Sequence, residues 1–333
     1  MGTYRLFLAF CVLYAHAFGE IAGWHIGVVA VISFFIISGY VMSLLILKHY
    51  TAPTDFARFY LDRAARLFPQ YLFYLGLTLL TVKLLGITNI YLQDRGPVYV
   101  AANSLILPVG YYMFGLDHAL YLPQAWSLGL ELTFYLTFPV FWHSPKALKI
   151  ALACASMLIF AAAIGGIVDT DRFGYRLLPG VFFIFVTGSA LAKREWTFVS
   201  LTGIATLAAM LLILAMPTLY AVHYNKEVVA GIIVGIPAVY LLSKMRFSGF
   251  DELLGNLSYG VFLNHFLLIW IADHFDVSRV LMPFASLAMA WVSYSIIEQP
   301  ALHLRRRLRD RRALGLQQRQ IQSSSAAEKN ASI

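Results

Sequence analysis

Residues 26–47 read Ile26-Gly27-Val28-Val29-Ala30-Val31-Ile32-Ser33-Phe34-Phe35-Ile36-Ile37-Ser38-Gly39-Tyr40-Val41-Met42-Ser43-Leu44-Leu45-Ile46-Leu47, 22 residues without one charged side chain. Wound as a helix at about 1.5 Å per residue, such a run crosses a hydrocarbon layer roughly 30 Å thick. Its natural solvent is a bilayer. Apolar runs of similar length recur at 4–22, 67–86, 125–143, 147–167, 175–192, 197–216, 226–243, 257–275 and 280–302. The pattern predicts an all-α, polytopic integral membrane protein of about ten transmembrane helices, with one membrane domain over residues 1–303. The tail, residues 304–333, is basic and then rich in Gln, Ser and Ala without an apolar period, so it reads as a disordered extension.

The composition agrees with that solvent. Of 333 residues, 60% are hydrophobic and 13% charged, with a mean hydropathy of +0.71, far from a soluble globular domain. The net charge of +8 does not point to nucleic acid, because the basic residues sit in short clusters between apolar runs and at Arg305 to Arg312. They read as topology signals. With ten spans and an inside N terminus, the inside segments after residue 116 hold fourteen Lys and Arg, whereas the outside ones hold only Arg172, Arg176, Lys226 and Arg279. Counting 98–115 as another span would reverse this bias, and Asn103, Pro108 and Gly110 interrupt it, so 87–124 reads as an outside loop or re-entrant segment. Both termini are then cytoplasmic.

Between the second and third spans, Asp55 to Arg66 repeats apolar and basic residues at helical spacing and predicts an amphipathic helix on the inner interface. Arg5, the first apolar run and Ala15-His16-Ala17 imitate a signal peptide, but the run is read as a retained span. Cys11 and Cys154 lie inside apolar runs, which favours packing over a disulfide or a zinc site. No internal repeat of the kind found in many transporters is visible.

Ionisable residues inside the runs are the candidates for chemistry, since each costs several kcal/mol at membrane depth unless paired or wetted. Arg5 and His16 are eleven residues apart, which returns them to one helix face about 16 Å apart along the axis. Arg5 alone also suits an anchor that snorkels to phosphates. Glu131 lies about 8 Å below the start of its span, at a depth like that of His16, and is expected to orient the imidazole; a structural hydrogen bond between helices is the plainer alternative. His265 lies about 12 Å into its span and is expected to share the cavity. Glu298, near the end of the last run, is expected to pair with a basic loop. Arg63 and Arg66 share a helix face, and their planar forks suit either a phosphorylated ligand or anionic lipid heads. No Walker loop, Rossmann glycine pattern, metal-binding histidine motif or nucleophile elbow occurs in the chain. Neither a metal nor a bound cofactor is expected.

Six blocks then fall in a recognisable order: Arg5 to His16, Ser33-Phe34-Phe35-Ile36-Ile37-Ser38-Gly39-Tyr40, Arg63-Ala64-Ala65-Arg66-Leu67-Phe68-Pro69, Trp126-Ser127-Leu128 through Glu131 to Phe134-Tyr135, Leu257-Ser258-Tyr259 through His265, and Glu298-Gln299-Pro300. Over residues 2–302 the chain resembles acyltransferase family 3, membrane enzymes that O-acylate carbohydrates such as O-antigen, exopolysaccharide and lipo-oligosaccharide, commonly with cytoplasmic acetyl-CoA. The resemblance implies that His16, Glu131 and Arg5 are catalytic and that Arg63, Arg66 and Arg5 hold the acyl donor. Ser38, Trp126 and His265 are expected to line the cavity. It implies an acyl-CoA donor, a carbohydrate or lipid-linked glycan acceptor, contact with membrane lipids, and residence in a bacterial cytoplasmic (inner) membrane. No esterase-like domain is expected after the last span. The sequence departs from the family pattern at Gly27-Val28-Val29-Ala30, which lacks an acidic residue, and at Phe262-Leu263-Asn264-His265, where a Trp-His pair is usual.

The resulting expectation is that His16 takes a proton from a sugar hydroxyl as it attacks the thioester, with Glu131 behind the ring. A covalent acyl-histidine relay is a variant. Two rivals from other classes remain open on residues alone: a secondary transporter or lipid-linked glycan flippase, and a non-catalytic assembly subunit.

Overall fold

A computed structural model describes residues 1–303; the tail 304–333, with the expectations placed on it, lies outside the described residues. The helices are α1 (Gly2–Phe18), α2 (Ile26–His49), α3 (Phe56–Leu85), α4 (Pro97–Ser104), α5 (Trp126–His143), α6 (Lys146–Ile164), α7 (Leu178–Lys193), α8 (Trp196–Ala215), α9 (Pro217–Tyr220), α10 (Asn225–Ser243), α11 (Gly249–His274) and α12 (Met282–Ser293), the last continued by a π-helical turn, Tyr294–Glu298. Among the described residues, β structure is confined to two isolated bridges. The chain is an all-α, multi-pass integral membrane protein.

A helix occupies each of the ten expected intervals, yet among the described residues eight segments are long and apolar enough to cross a membrane on their own. The first, α1, is apolar but has 17 residues. The other, α5, carries Glu131 together with Ser127, Thr133, Thr137 and Pro139, and it buries ten residues against the protein rather than presenting an apolar surface. A helix shielded by its neighbours does not need a lipid-compatible exterior.

Two further boundaries differ from expectation, and segment 87–124 takes the re-entrant form of its expected reading. The amphipathic segment and the third span are one continuous 30-residue helix, α3, running through Pro69. Its length, about 45 Å, exceeds the hydrocarbon thickness, so its first half can lie at the interface while the rest enters the bilayer. Segment 87–124 folds back on the bundle as α4 and a tight turn, Leu107–Phe114, in which Val109 is fully buried. Helix α11 starts eight residues before the expected 257 because Ser248 caps it, accepting a hydrogen bond from the Asp251 amide at 3.4 Å. Cys11 is half-buried, whereas Cys154 is exposed on α6, so packing does not explain it.

The centre of the bundle is α2, which packs on α1, α7 and α10. Its crossing with α7 is close because Gly39 and Gly188 face the partner backbone, where a Cβ would overlap the Phe185 and Ile36 carbonyl oxygens. Such small residues let membrane helices approach without apolar driving force from water. A second unit pairs α1 with α11. Asp251, in the first turn of α11, accepts hydrogen bonds from the Gly2 and Thr3 amides at 2.8 Å, and Arg279 Nη1 donates to the Ala17 carbonyl at 2.8 Å. A carboxylate thus closes the positive end of α1 and a guanidinium the negative end, which matches its dipole. This fixes α1 lengthwise against α11.

Candidate active site

Two cavities run into the bundle along α1. The first has about 940 Å³ of empty space, partly continuous with solvent, and is lined by Arg5, Arg63, Arg66, Glu131, Ser38 and Tyr135 among others. Each of its charges is held. Arg63 pairs with Asp62 and Arg66 with Glu298, which is 2% exposed; the Arg66 guanidinium also lies over the Tyr259 ring, 5.4 Å from its centroid. Glu131 accepts hydrogen bonds from the hydroxyls of Ser38 and Tyr135, and its charge acts on Arg5. Buried pairs of this kind contribute little net stability, because desolvation offsets attraction.

The second cavity, about 570 Å³ on the same measure, is lined by His16, His25, Gln124, Trp126, Arg176 and Tyr224 among others. Its polar groups are mostly hydrogen-bond formers with aromatic neighbours. The Arg176 guanidinium lies 4.5 Å from the Trp126 ring centroid and 5.1 Å from that of Tyr175, while its Nε donates to both oxygens of Asp171 at 2.8 and 2.9 Å. Gln124 is 2% exposed; its amide nitrogen donates to the Leu263 carbonyl at 2.7 Å, and its amide oxygen has no partner among the described residues. Burial pushes the Tyr112 and Tyr224 phenols above their ordinary values, with Arg176 opposing, so both remain neutral. His16 is accessible on its cavity side.

The walls of the two cavities meet at Val31, Ser127 and Phe262. Because Arg5 lines the first and His16 the second, the eleven-residue spacing on α1 carries from one cavity to the other.

The structure gathers Arg5, Arg63, Arg66, Glu131 and Ser38 in the first cavity, and His16 and Trp126 in the second. It does not bring Glu131 to His16. Trp126 at the start of α5 lines the cavity of His16, whereas Glu131, five residues or about 7 Å further along the helix, lines the other. The partner of His16 is His265, whose Nε2 is 3.0 Å from His16 Nδ1. His265 is fully buried and lines neither cavity, contrary to its expected placement. Glu298 pairs with Arg66 of α3 rather than with a basic loop. Arg176, counted from sequence only as an outside charge, and Gln124 are cavity residues that spacing missed. The available signal was the π-helical turn sequence Thr170-Asp171-Arg172-Phe173-Gly174-Tyr175-Arg176, dense in polar and aromatic residues before an apolar helix. Among the described residues no three His, Cys, Asp or Glu gather as a metal site.

Comparison with known proteins places the chain in a family. Residues 4–298 match the profile of acyltransferase family 3, described as an acyltransferase domain. An uncharacterized protein of Aquifex aeolicus (strain VF5) is 37% identical over 188 residues, covering 53% of this chain and 84% of that protein. Nodulation protein 10 of Rhizobium leguminosarum bv. viciae is 28% identical over 360 aligned positions, covering 92% of this chain and 94% of its own. No solved structure matches the chain. With nearly its whole membrane bundle inside the matched region, the chain belongs to acyltransferase family 3 and is a membrane acyltransferase.

Proposed function

We propose that this acyltransferase moves an acetyl group from cytoplasmic acetyl-CoA to a hydroxyl of a cell-envelope or exported carbohydrate, in the cytoplasmic membrane of a bacterium. The observation that carries the reading is that Arg5 and His16, on one helix, open on different cavities whose walls meet. The basic cavity faces the cytoplasm and takes the donor: Arg63, Arg66 and Arg5 hold the phosphates of CoA, and the pantetheine arm runs along α1 toward His16. The acceptor enters the other cavity, where Arg176 and Gln124 offer a donor and an acceptor of hydrogen bonds beside an aromatic wall. Arg176 is balanced there by Asp171, which suits a neutral polyol better than an anionic one.

At the junction, His16 accepts the proton of the acceptor hydroxyl as its oxygen attacks the thioester carbonyl; the C–S bond breaks, and the CoA thiolate takes the proton back from His16. General-base catalysis of this kind contributes about 10²–10⁴-fold. Glu131 acts in the donor cavity, where it fixes Ser38 and Tyr135 and balances Arg5, instead of orienting the imidazole. The test is transfer of label from [¹⁴C]acetyl-CoA to envelope glycan by the purified protein. Wild type transfers label and His16→Ala, equally folded and inserted, does not; transfer undiminished by His16→Ala would remove the mechanism.

A further inference from the structure

The His16–His265 contact has the geometry of a directed hydrogen bond. The rings are 8° from parallel with centroids 5.1 Å apart, close to one N···N bond plus the two ring radii, so the imidazoles meet edge to edge and not face to face. Phe266 packs on both, 4.8 Å from the His16 centroid and 5.2 Å from that of His265. On its far side, His265 Nδ1 lies 3.4 Å from the carbonyl oxygen of Val261, one turn back in α11. A carbonyl only accepts, so this contact is a hydrogen bond only in the tautomer that carries the proton on this nitrogen. In neutral His265, Nε2 is then a lone pair, and the bond across to α1 needs a proton on His16 Nδ1. The one nitrogen left to His16 is Nε2, unprotonated, on a ring that opens into the cavity.

We propose that His265 is the positioning residue of the reaction: it holds His16 in the Nδ1–H tautomer, with Nε2 presented as the base, and receives part of the charge when that base is protonated. As His16 Nε2 takes the acceptor's proton, the Nδ1 proton can move to His265 Nε2, leaving His265 doubly protonated between His16 and the Val261 carbonyl; the proton returns when the thiolate is protonated. No atom is gained or lost in the pair. Among the described residues no carboxylate hydrogen-bonds to either ring, so the role given to an aspartate in hydrolase triads falls here to a second neutral imidazole. The geometry is independent of whether Nε2 acts as base or as nucleophile, although its place in the reaction rests on the function proposed above.

The structural support for the pair is specific. Asp251 and Arg279 fix α1 lengthwise on α11. The neighbour of His265, Asn264, is locked by donating to the Ser286 carbonyl at 2.8 Å and accepting from the Ser286 hydroxyl at 2.5 Å. Both rings are thereby set in register without a flexible link. The polar groups that act electrostatically on His16 come from elsewhere, Arg176 from the π-helical turn and His25, bound to Glu20, from the start of α2.

Two measurements test this. In detergent-solubilised protein labelled with ¹⁵N-histidine, with His16→Ala and His265→Ala supplying the assignments, His16 and His265 should both show a protonated Nδ1 and a bare Nε2, and His265→Ala should let His16 shift toward the Nε2–H form. An Nε2–H His16 in wild type overturns the proposal, whatever the protein's activity. In the acetyl-transfer assay, His265→Gln retains an acceptor near the Nε2 position but cannot take the proton. It should keep far more activity than His265→Ala, which should lose about 10²-fold. Equal activity in Gln and Ala variants, or an Ala variant as fast as wild type, contradicts it. Wild-type protein that shows the expected tautomers yet transfers no acetyl group would fault the assigned reaction and leave the pair standing.

Discussion

The two cavities are separated by little more than the width of Val31, Ser127 and Phe262, yet they hold polarity in opposite ways. In the basic cavity two guanidinium groups are paired with carboxylates of the chain, Arg63 with Asp62 and Arg66 with Glu298. Beside the other, the reacting imidazole is met by a second imidazole. Guanidinium groups are bidentate donors that suit an anionic ligand, and a hydrogen-bonded imidazole pair suits the movement of a proton. On the function proposed above, donor binding belongs to one cavity and the chemistry to the other.

Substitutions can separate those roles, and the largest effect belongs to the chemistry. His16→Ala should lower the turnover number by about 10²–10⁴-fold while leaving donor affinity within about twofold, measured by calorimetric titration with CoA; a lost CoA affinity would merge the cavities into one site. Arg66→Lys, which keeps a charge opposite Glu298 but loses the planar fork, should raise the donor KM by about tenfold, the worth of a charge-assisted hydrogen bond, with the acceptor KM unchanged. Arg176→Gln should do the converse, raising the acceptor KM about three- to tenfold without moving the donor KM. If both KM values rise together in either variant, the division fails. The smallest effect is structural: Asp251→Ala removes the carboxylate that closes the start of α1 and should cost about 1 kcal/mol, read as a lower unfolding temperature with the KM values intact.

The fold was legible because bilayer physics acts on runs of about 20 residues, and every run that satisfied it became a helix. What escaped were boundaries set by single side chains. Ser248 starts α11 early through a cap, and α3 continues through Pro69 because its amphipathic and apolar halves share one buried face, from Phe59 and Arg63 to Tyr74 and Val82. In the site, residues sharing one helix were readable: Arg5 and His16 on α1, Arg63 and Arg66 on α3. Pairing between helices was not. Depth along the axis pointed to Glu131 as the partner of His16 and left His265 as a cavity wall, since depth says nothing of the face a neighbour presents. The crossing of α1 with α11 decided for His265. Arg176 was hidden for another reason: a charge in a short connection looks like a topology signal until the π-helical turn folds it over Trp126.

The central claim is one reaction served from two ends of the bundle, and sidedness tests it most directly. Protein reconstituted in one orientation into sealed vesicles is given [¹⁴C]acetyl-CoA on the side of Arg63 and Arg66, with acceptor glycan confined to the side of Arg176. The account predicts labelled glycan in this arrangement and none when the two substrates are exchanged. Label that appears only when donor and acceptor share one side would contradict it.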